Sequence, residues 1–217
     1  SVTVAASSGS TLELSGAIAA TNKTVTFKDS GTFIRSGANY SKCITDTANT
    51  GFDIQNGTLK TSENGQTGNP GPATADYIKL NNWAVFHATD TYSLNGDKGI
   101  EIQSGHGKIY VDDGKTLSVN NDITGGNQFA KDGPGTLKMG GGDEFTVSAL
   151  YIDAGVLWPI ETTPFNGTLS TVTLGAASGS ASAGLKLGSG GSTESMSKSI
   201  TVRGDGSGTR TLENGNS

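Results

Sequence analysis

Short apolar pairs alternating with glycine turns are the feature that most constrains this chain. Between Ser118 and Pro159, Leu137 and Met139 follow Gly135, and Phe145 and Val147 follow Gly140-Gly141-Gly142. Leu150 and Ile152 come next, and Ala154-Gly155-Val156-Leu157 closes the series. Period-two alternation over four or five residues, ended by glycine or asparagine, specifies strand, turn, strand. The longer 3.6-residue stripe of an amphipathic helix is absent from that stretch. The chain is expected to be all-β, built from many short strands.

The turns recur along the chain. The first large apolar residue after each falls at Leu12, Phe33, Leu59, Val85, Ile109, Leu117, Leu137, Leu157, Leu185 and Leu212. Most steps are about 20 to 28 residues, the period of a repeat architecture. Ile109 to Leu117 is too short a step, which assigns those two to neighbouring faces of one coil. A coil of this length suits three short strands joined by turns and stacked on the next through parallel ladders roughly 4.8 Å apart. The expectation is a right-handed parallel β-helix, a solenoid of roughly eight or nine coils. It would span 1–217 as one segment of a larger protein. Aliphatic side chains would stack inside, with Thr, Ser, Lys and Asn facing water. Corners needing positive φ would fall at Asn56-Gly57, Asn64-Gly65, Asn95-Gly96 and Asn166-Gly167.

Two stretches interrupt this rhythm. Residues 61–75 (TSENGQTGNPGPATA) lack alternation and hold two of the five prolines, which predicts an exposed loop lying off the rod. Residues 176–191 are almost entirely Gly, Ala and Ser around Leu185 and Leu187. A flexible linker would have that composition. Alternation at Leu174 and at Ile200-Val202 on either side favours a lean coil instead.

The stretch from Lys131 onward also resembles a family. Lys131, Gly133, Gly135, Thr136, Leu137, Met139 and Gly141, followed by Ile152, Ala154, Gly155 and Leu157, resemble the passenger-associated repeat of bacterial autotransporters. Ile152 stands where that repeat usually has valine. The resemblance is clearest from about Gly114 to Leu212. It implies a right-handed β-helical passenger, secreted or displayed on a bacterial surface. Such a segment would serve as a stalk or adhesin, with a host-cell surface, matrix or polysaccharide as partner. The barrel of that family is not in this sequence. The first hundred residues share the glycine habit without the motif, as degenerate coils or as a cap.

Composition removes several function classes. The net charge is −5 and no basic stripe exists to meet phosphates, so no nucleic-acid partner is expected. No apolar run approaches the roughly 18 residues of a membrane helix, so no membrane contact is expected from this segment. Cys43 is the single cysteine, which excludes an intrachain disulfide. The chain opens on Ser1 without a signal peptide, as a mature product or an excised piece would.

Chemistry is sparse. His106 in Gly105-His106-Gly107, followed by Asp112-Asp113, is the most tempting catalytic cluster. Polygalacturonases are β-helices with an Asp-Asp pair and a Gly-His-Gly, but their aspartates precede the histidine. Their Asn-Thr-Asp and Arg-Ile-Lys segments are also missing here. Glycoside hydrolysis needs two carboxyls at a defined separation, and neighbours on a strand point to opposite faces. The expectation is no enzyme, with a polysaccharide-acting enzyme or carbohydrate-binding module as the rival. Arg203-Gly204-Asp205 is the tripeptide that integrins read, placed after the strand Ile200–Val202, and is the candidate binding site. Gly114-Lys115-Thr116 lacks the preceding glycine and following helix of a phosphate loop. No nine-residue calcium repeat or zinc ligand set occurs, so no cofactor is expected. Tyr77, Trp83, Phe86, Tyr92, Tyr110, Tyr151 and Trp158 could form a sugar platform, although single aromatics in strands more often pack the core. Unpaired backbone groups on end coils would also permit self-association end to end into a fibre.

Overall fold

The computed structural model describes residues 1–16, 18, 23–36, 51–67, 74–95, 98–140, 145–160, 165, 168–188 and 196–215. Among the described residues the first coils carry two strands each: β1 (Val2–Ala5) and β2 (Thr11–Leu14), β3 (Val25–Lys28) and β4 (Thr32–Arg35), β5 (Phe52–Gln55) and β6 (Thr58–Thr61). The middle coils carry three. These are β7 (Thr74–Asn81), β8 (Ala84–Ala88) and β9 (Tyr92–Leu94), then β10 (Lys98–Ile102), β11 (Gly107–Val111) and β12 (Thr116–Val119). The next is β13 (Ile123–Thr124), β14 (Gln128–Asp132) and β15 (Thr136–Met139). Among the described residues the last coils again show two: β16 (Ala149–Ile152) and β17 (Gly155–Pro159), β18 (Thr171–Leu174) and β19 (Ala183–Leu187), β20 (Ser199–Val202) and β21 (Arg210–Asn214). One 3-10 turn, Asn64–Thr67, is the only helical element among the described residues.

Every strand pairs in parallel with the corresponding strand of a neighbouring coil, giving a β-solenoid. The first sheet runs β1-β3-β5-β7-β10-β13, and the middle sheet runs β2-β4-β6-β8-β11-β14-β16-β18-β20. The third runs β9-β12-β15-β17-β19-β21. Shared over three faces, these 21 strands amount to about seven full turns, slightly fewer than the eight or nine expected. The reason is that only the middle sheet extends through every coil.

The periodic residues fall into two inward columns. Leu117, Leu137, Leu157, Leu185 and Leu212 stand directly above one another in the third sheet. Leu12, Phe33, Leu59, Phe86 and Ile109 do so in the middle sheet. The short step from Ile109 to Leu117 is where the count passes from one column to the other. Val85, chosen from the sequence, is one residue off: it faces outward, and Phe86 takes the fully buried place. Consecutive apolar residues leave the inward one undetermined until the register is known. The Gly/Ala/Ser stretch is a lean coil, since β19 pairs with both β17 and β21.

The corner between middle and third sheets accounts for the glycine motif. A Cβ on Gly135 would sit 2.2 Å from the Asp112 carbonyl oxygen, and one on Gly155 2.2 Å from that of Gly135. Gly155 also has φ +67°, so successive corners stack backbone on backbone where no side chain fits. Lys131 occupies an inward place between Ile109 and Ile152 and is fully buried. Its Nζ donates to the carbonyls of Asp132 (2.8 Å), Gly133 (2.8 Å) and Ala154 (3.0 Å). Burial pushes its pKa down to about 7, against the opposing charge of Asp132. The lysine thus clamps two successive corners from inside.

The expected exposed loop over 61–75 is corrected in its first half. Thr61, Gln66 and Thr67 are buried. The Lys98 Nζ, itself buried, donates to the Asn64 carbonyl, Asn64 Oδ1 and Thr67 Oγ1, each at 2.8 Å. Tyr77 donates its hydroxyl to the Thr67 carbonyl at 2.8 Å. These partners lie ten or more residues downstream, so local composition carries no sign of them. Residues 68–73 lie outside the described residues, as do Cys43 and Asn166-Gly167. Thr74 and Ala75 already belong to β7.

Candidate functional site

Parallel register turns alternate residues of each strand into continuous outward columns. On the middle sheet one column runs Thr32, Thr58, Val85, Lys108, Ala130, Tyr151, Thr173 and Thr201. The next holds Ile34, Lys60, His87, Tyr110 and Asp132. Polar and aromatic side chains concentrate in the central coils of this face, between plain threonines at both ends.

The sequence-selected trio does not assemble. Asp112 and Asp113 leave β11 in a turn, and Asp113 is exposed. Asp112 Oδ1 lies 2.7 Å from Nε2 of His87, whose ring meets the Tyr110 ring edge-on at 4.5 Å. His106 sits at a different corner, between β10 and β11, with φ +72°. Its Nδ1 accepts the Gln128 backbone N–H at 3.1 Å, and its ring lies 4.7 Å from that of Trp83. The partner of Asp112 is therefore the histidine one coil earlier. A stacking register of about 25 residues relates the two, and only the repeat count could have exposed it.

Arg203-Gly204-Asp205 is divided. Gly204 and Asp205 are exposed, but Arg203 folds back over the sheet. Its guanidinium lies 5.0 Å from the Tyr151 ring centre, and Nη1 is 3.6 Å from Asp153 Oδ1. The arginine is committed to its own rod, whereas integrin recognition needs both charges presented outward.

Sequence reasoning missed Asp132, Asp153, Lys108 and Gln128, which no local motif marks. Lys108 Nζ donates to Asp132 Oδ2 at 2.8 Å. Burial opposes the charge of Asp132. The Lys108 hydrogen bond, the Gly133 N–H and the charges of Lys108 and Lys131 outweigh it, holding that carboxyl below its ordinary range. Asp153 goes the other way: burial, then the like charge of Asp132, raise its pKa against Lys108 and Arg203. Burial, then Asp112 and Asp132, also push up the Tyr110 phenol.

Two depressions flank this acidic pair. A notch of about 200 Å³ is lined by Trp83, Gln128, Ala130, Tyr151, Asp153 and Arg203. A longer trough of about 550 Å³ follows the corner to the third sheet, from Tyr110 and Asp132 past Gly133 and Gly155 to Thr211. Of the seven aromatics considered as a platform, Tyr77 and Phe86 are core residues. Trp83, Tyr110, Tyr151 and Trp158 keep surface exposure. Trp158 has Lys138 and Lys186 over its ring, at 4.8 and 4.3 Å. Among the described residues no group of three or more His, Cys, Asp or Glu is placed to hold a metal ion. No described helix is long and apolar enough to cross a membrane.

The fold defines the chain as a β-solenoid protein. No family model, curated protein or solved structure matches it. Nothing in those comparisons identifies an autotransporter repeat, so that resemblance rests on the motif residues alone.

Proposed function

We propose that this chain is a non-catalytic β-solenoid rod of an autotransporter- or adhesin-like bacterial protein, secreted or displayed at the cell surface. It would act as a stalk or hold binding surfaces away from the cell. The observation that supports this reading is the uninterrupted middle sheet, nine parallel strands from Thr11 to Val202. Axial load on such a stack is shared among successive ladders, and each coil touches only its neighbours. The dispersal of His106, Asp112 and Asp113 favours a rod over a hydrolase. Antibody against this chain should label intact cells that make the full-length natural protein. Labelling only after permeabilisation contradicts the surface role. Reducing-sugar assays on neutral and acidic polysaccharides should show no turnover, and turnover abolished by Asp113→Ala would make the chain an enzyme.

A further inference from the structure

We infer that the notch between Trp83 and Tyr151 is a binding site for a neutral saccharide. The inference goes beyond the proposed rod and requires the solenoid, not its location.

The floor of the notch is Ala130. In its outward column the neighbours below and above are Lys108 and Tyr151, so the short side chain leaves a gap one coil high. Trp83 forms one wall at 50% exposure, the most exposed aromatic side chain among the described residues. Its backbone is in the left-handed region at φ +62°, where a bulky residue is strained. Asn82 beside it has φ +53°, and the next corner repeats the conformation with Gly105 and His106 at +78° and +72°. Glycine would make the Trp83 turn without strain. The turn instead carries an indole, with the His106 ring tilted against it at 63°.

Opposite stand Tyr151 and three polar side chains, Gln128, Asp153 and Arg203. Asp153 Oδ1 makes no hydrogen bond, its nearest cation being Arg203 Nη1 at 3.6 Å, just beyond bonding reach. A pyranose ring matches this set. Its C–H face packs on aromatic rings, and its vicinal hydroxyls bond planar amide, carboxylate and guanidinium groups. The charges of Asp153 and Arg203 offset each other, and the net charge of −5 disfavours phosphates and uronates. About 200 Å³ is less than a drug-sized ligand needs. One sugar ring would dock, with the rest of an oligosaccharide along the sheet.

The test is calorimetric titration of the full chain with four neutral tetraoses (α-1,4-glucan, β-1,4-glucan, mannan and galactan) and a galacturonate tetraose. At least one neutral tetraose should bind saturably and better than the uronate. Tyr151→Ala should weaken that binding at least about five-fold, the scale of one lost aromatic contact. Trp83→Gly should abolish it without lowering the melting temperature, because glycine accepts the turn and the exposed ring contributes little packing. No binding by any neutral tetraose, preference for the uronate, or equal binding by Trp83→Gly would overturn the site. A markedly lower melting temperature for Trp83→Gly would assign the indole to packing and overturn it as well. Shortening of a bound tetraose would end the non-catalytic reading while leaving the site in place.

Discussion

The early coils and the coil at Lys98–Val119 fill their interiors differently. In the early coils Phe27, Phe33 and Phe52 are fully buried, and Phe27 lies 5.1 Å from Phe33 and 5.5 Å from Phe52. Tyr77 continues that cluster at 6.2 Å from Phe52. The later coil buries aliphatic side chains, Ile100, Ile102, Ile109, Val111, Leu117 and Val119, beside the one buried cation Lys98. The early rings lie on the strands themselves, Phe27 and Phe52 in the first sheet and Phe33 in the middle sheet. Rings return on single strands of later coils, where Phe86 on β8 and Phe129 on β14 are fully buried. Beyond β13 the described residues add one bridge to the first sheet, from Ile123 to Phe145, and Phe145 packs on Phe129 at 6.1 Å and on Phe165 at 5.3 Å.

The largest expected effect tests the aromatic half. Phe52→Ala should cost ~3–5 kcal/mol in urea unfolding, as large core deletions do. Hydrogen exchange should rise in the early coils first, because each coil is held only by its neighbours. A cost below about 1 kcal/mol would mean that the ring cluster does not hold the early coils together.

Next come the corners. Gly9 and Gly155 both have positive φ, but a Cβ on Gly9 meets nothing within 4 Å, whereas one on Gly155 meets the Gly135 oxygen at 2.2 Å. Gly9→Ala should cost ~1–2 kcal/mol from backbone conformation alone. Gly155→Ala should exceed that, because stacked backbone must move. Equal losses would remove close stacking as the reason for the motif glycine.

The buried Lys131 supplies a pH signature. Its folded pKa of about 7 lies below the unfolded value of 10.5, so the unfolded chain binds more protons between them. Stability should rise with pH across that window, by at most about 1.4 kcal/mol per pH unit, and lose the slope below it. Lys131→Met should flatten the slope between pH 7 and 10. An unchanged slope would show that another group titrates. The smallest effect belongs to the aliphatic coil, where Ile109→Val should cost only ~0.5–1.5 kcal/mol.

Much of this architecture was legible in the sequence, and the reason is covalent. Leu117, Leu137, Leu157, Leu185 and Leu212 could be picked out because each follows a turn that must contain glycine or a small polar residue. The first hundred residues were harder to read, because after Gly9 their described positive-φ corners use Asp29, Asn56 and the Asn82-Trp83 pair in place of a glycine motif. They prove to be coils in register, not a cap. The site was far less legible. Asp153, Gln128 and Arg203 are 25 to 75 residues apart and become neighbours only through stacking. Local spacing led to His106 with Asp112, and register joined Asp112 to His87. The fibre reading also depends on register. The first coil offers strands of the first and middle sheets and the last offers the middle and third, so a junction between copies would continue one ladder of three.

Paired nitroxide labels on the middle sheet test the winding most directly. With Cys43→Ser as background, cysteines would replace Thr32 and either Tyr151 or Thr201, all in one outward column. Five and seven ladder steps at ~4.8 Å predict backbone separations of ~24 and ~34 Å, lengthening in proportion to coil number. A Thr32–Thr201 distance no longer than Thr32–Tyr151 would mean that the chain doubles back, and the stacked-coil account would be wrong.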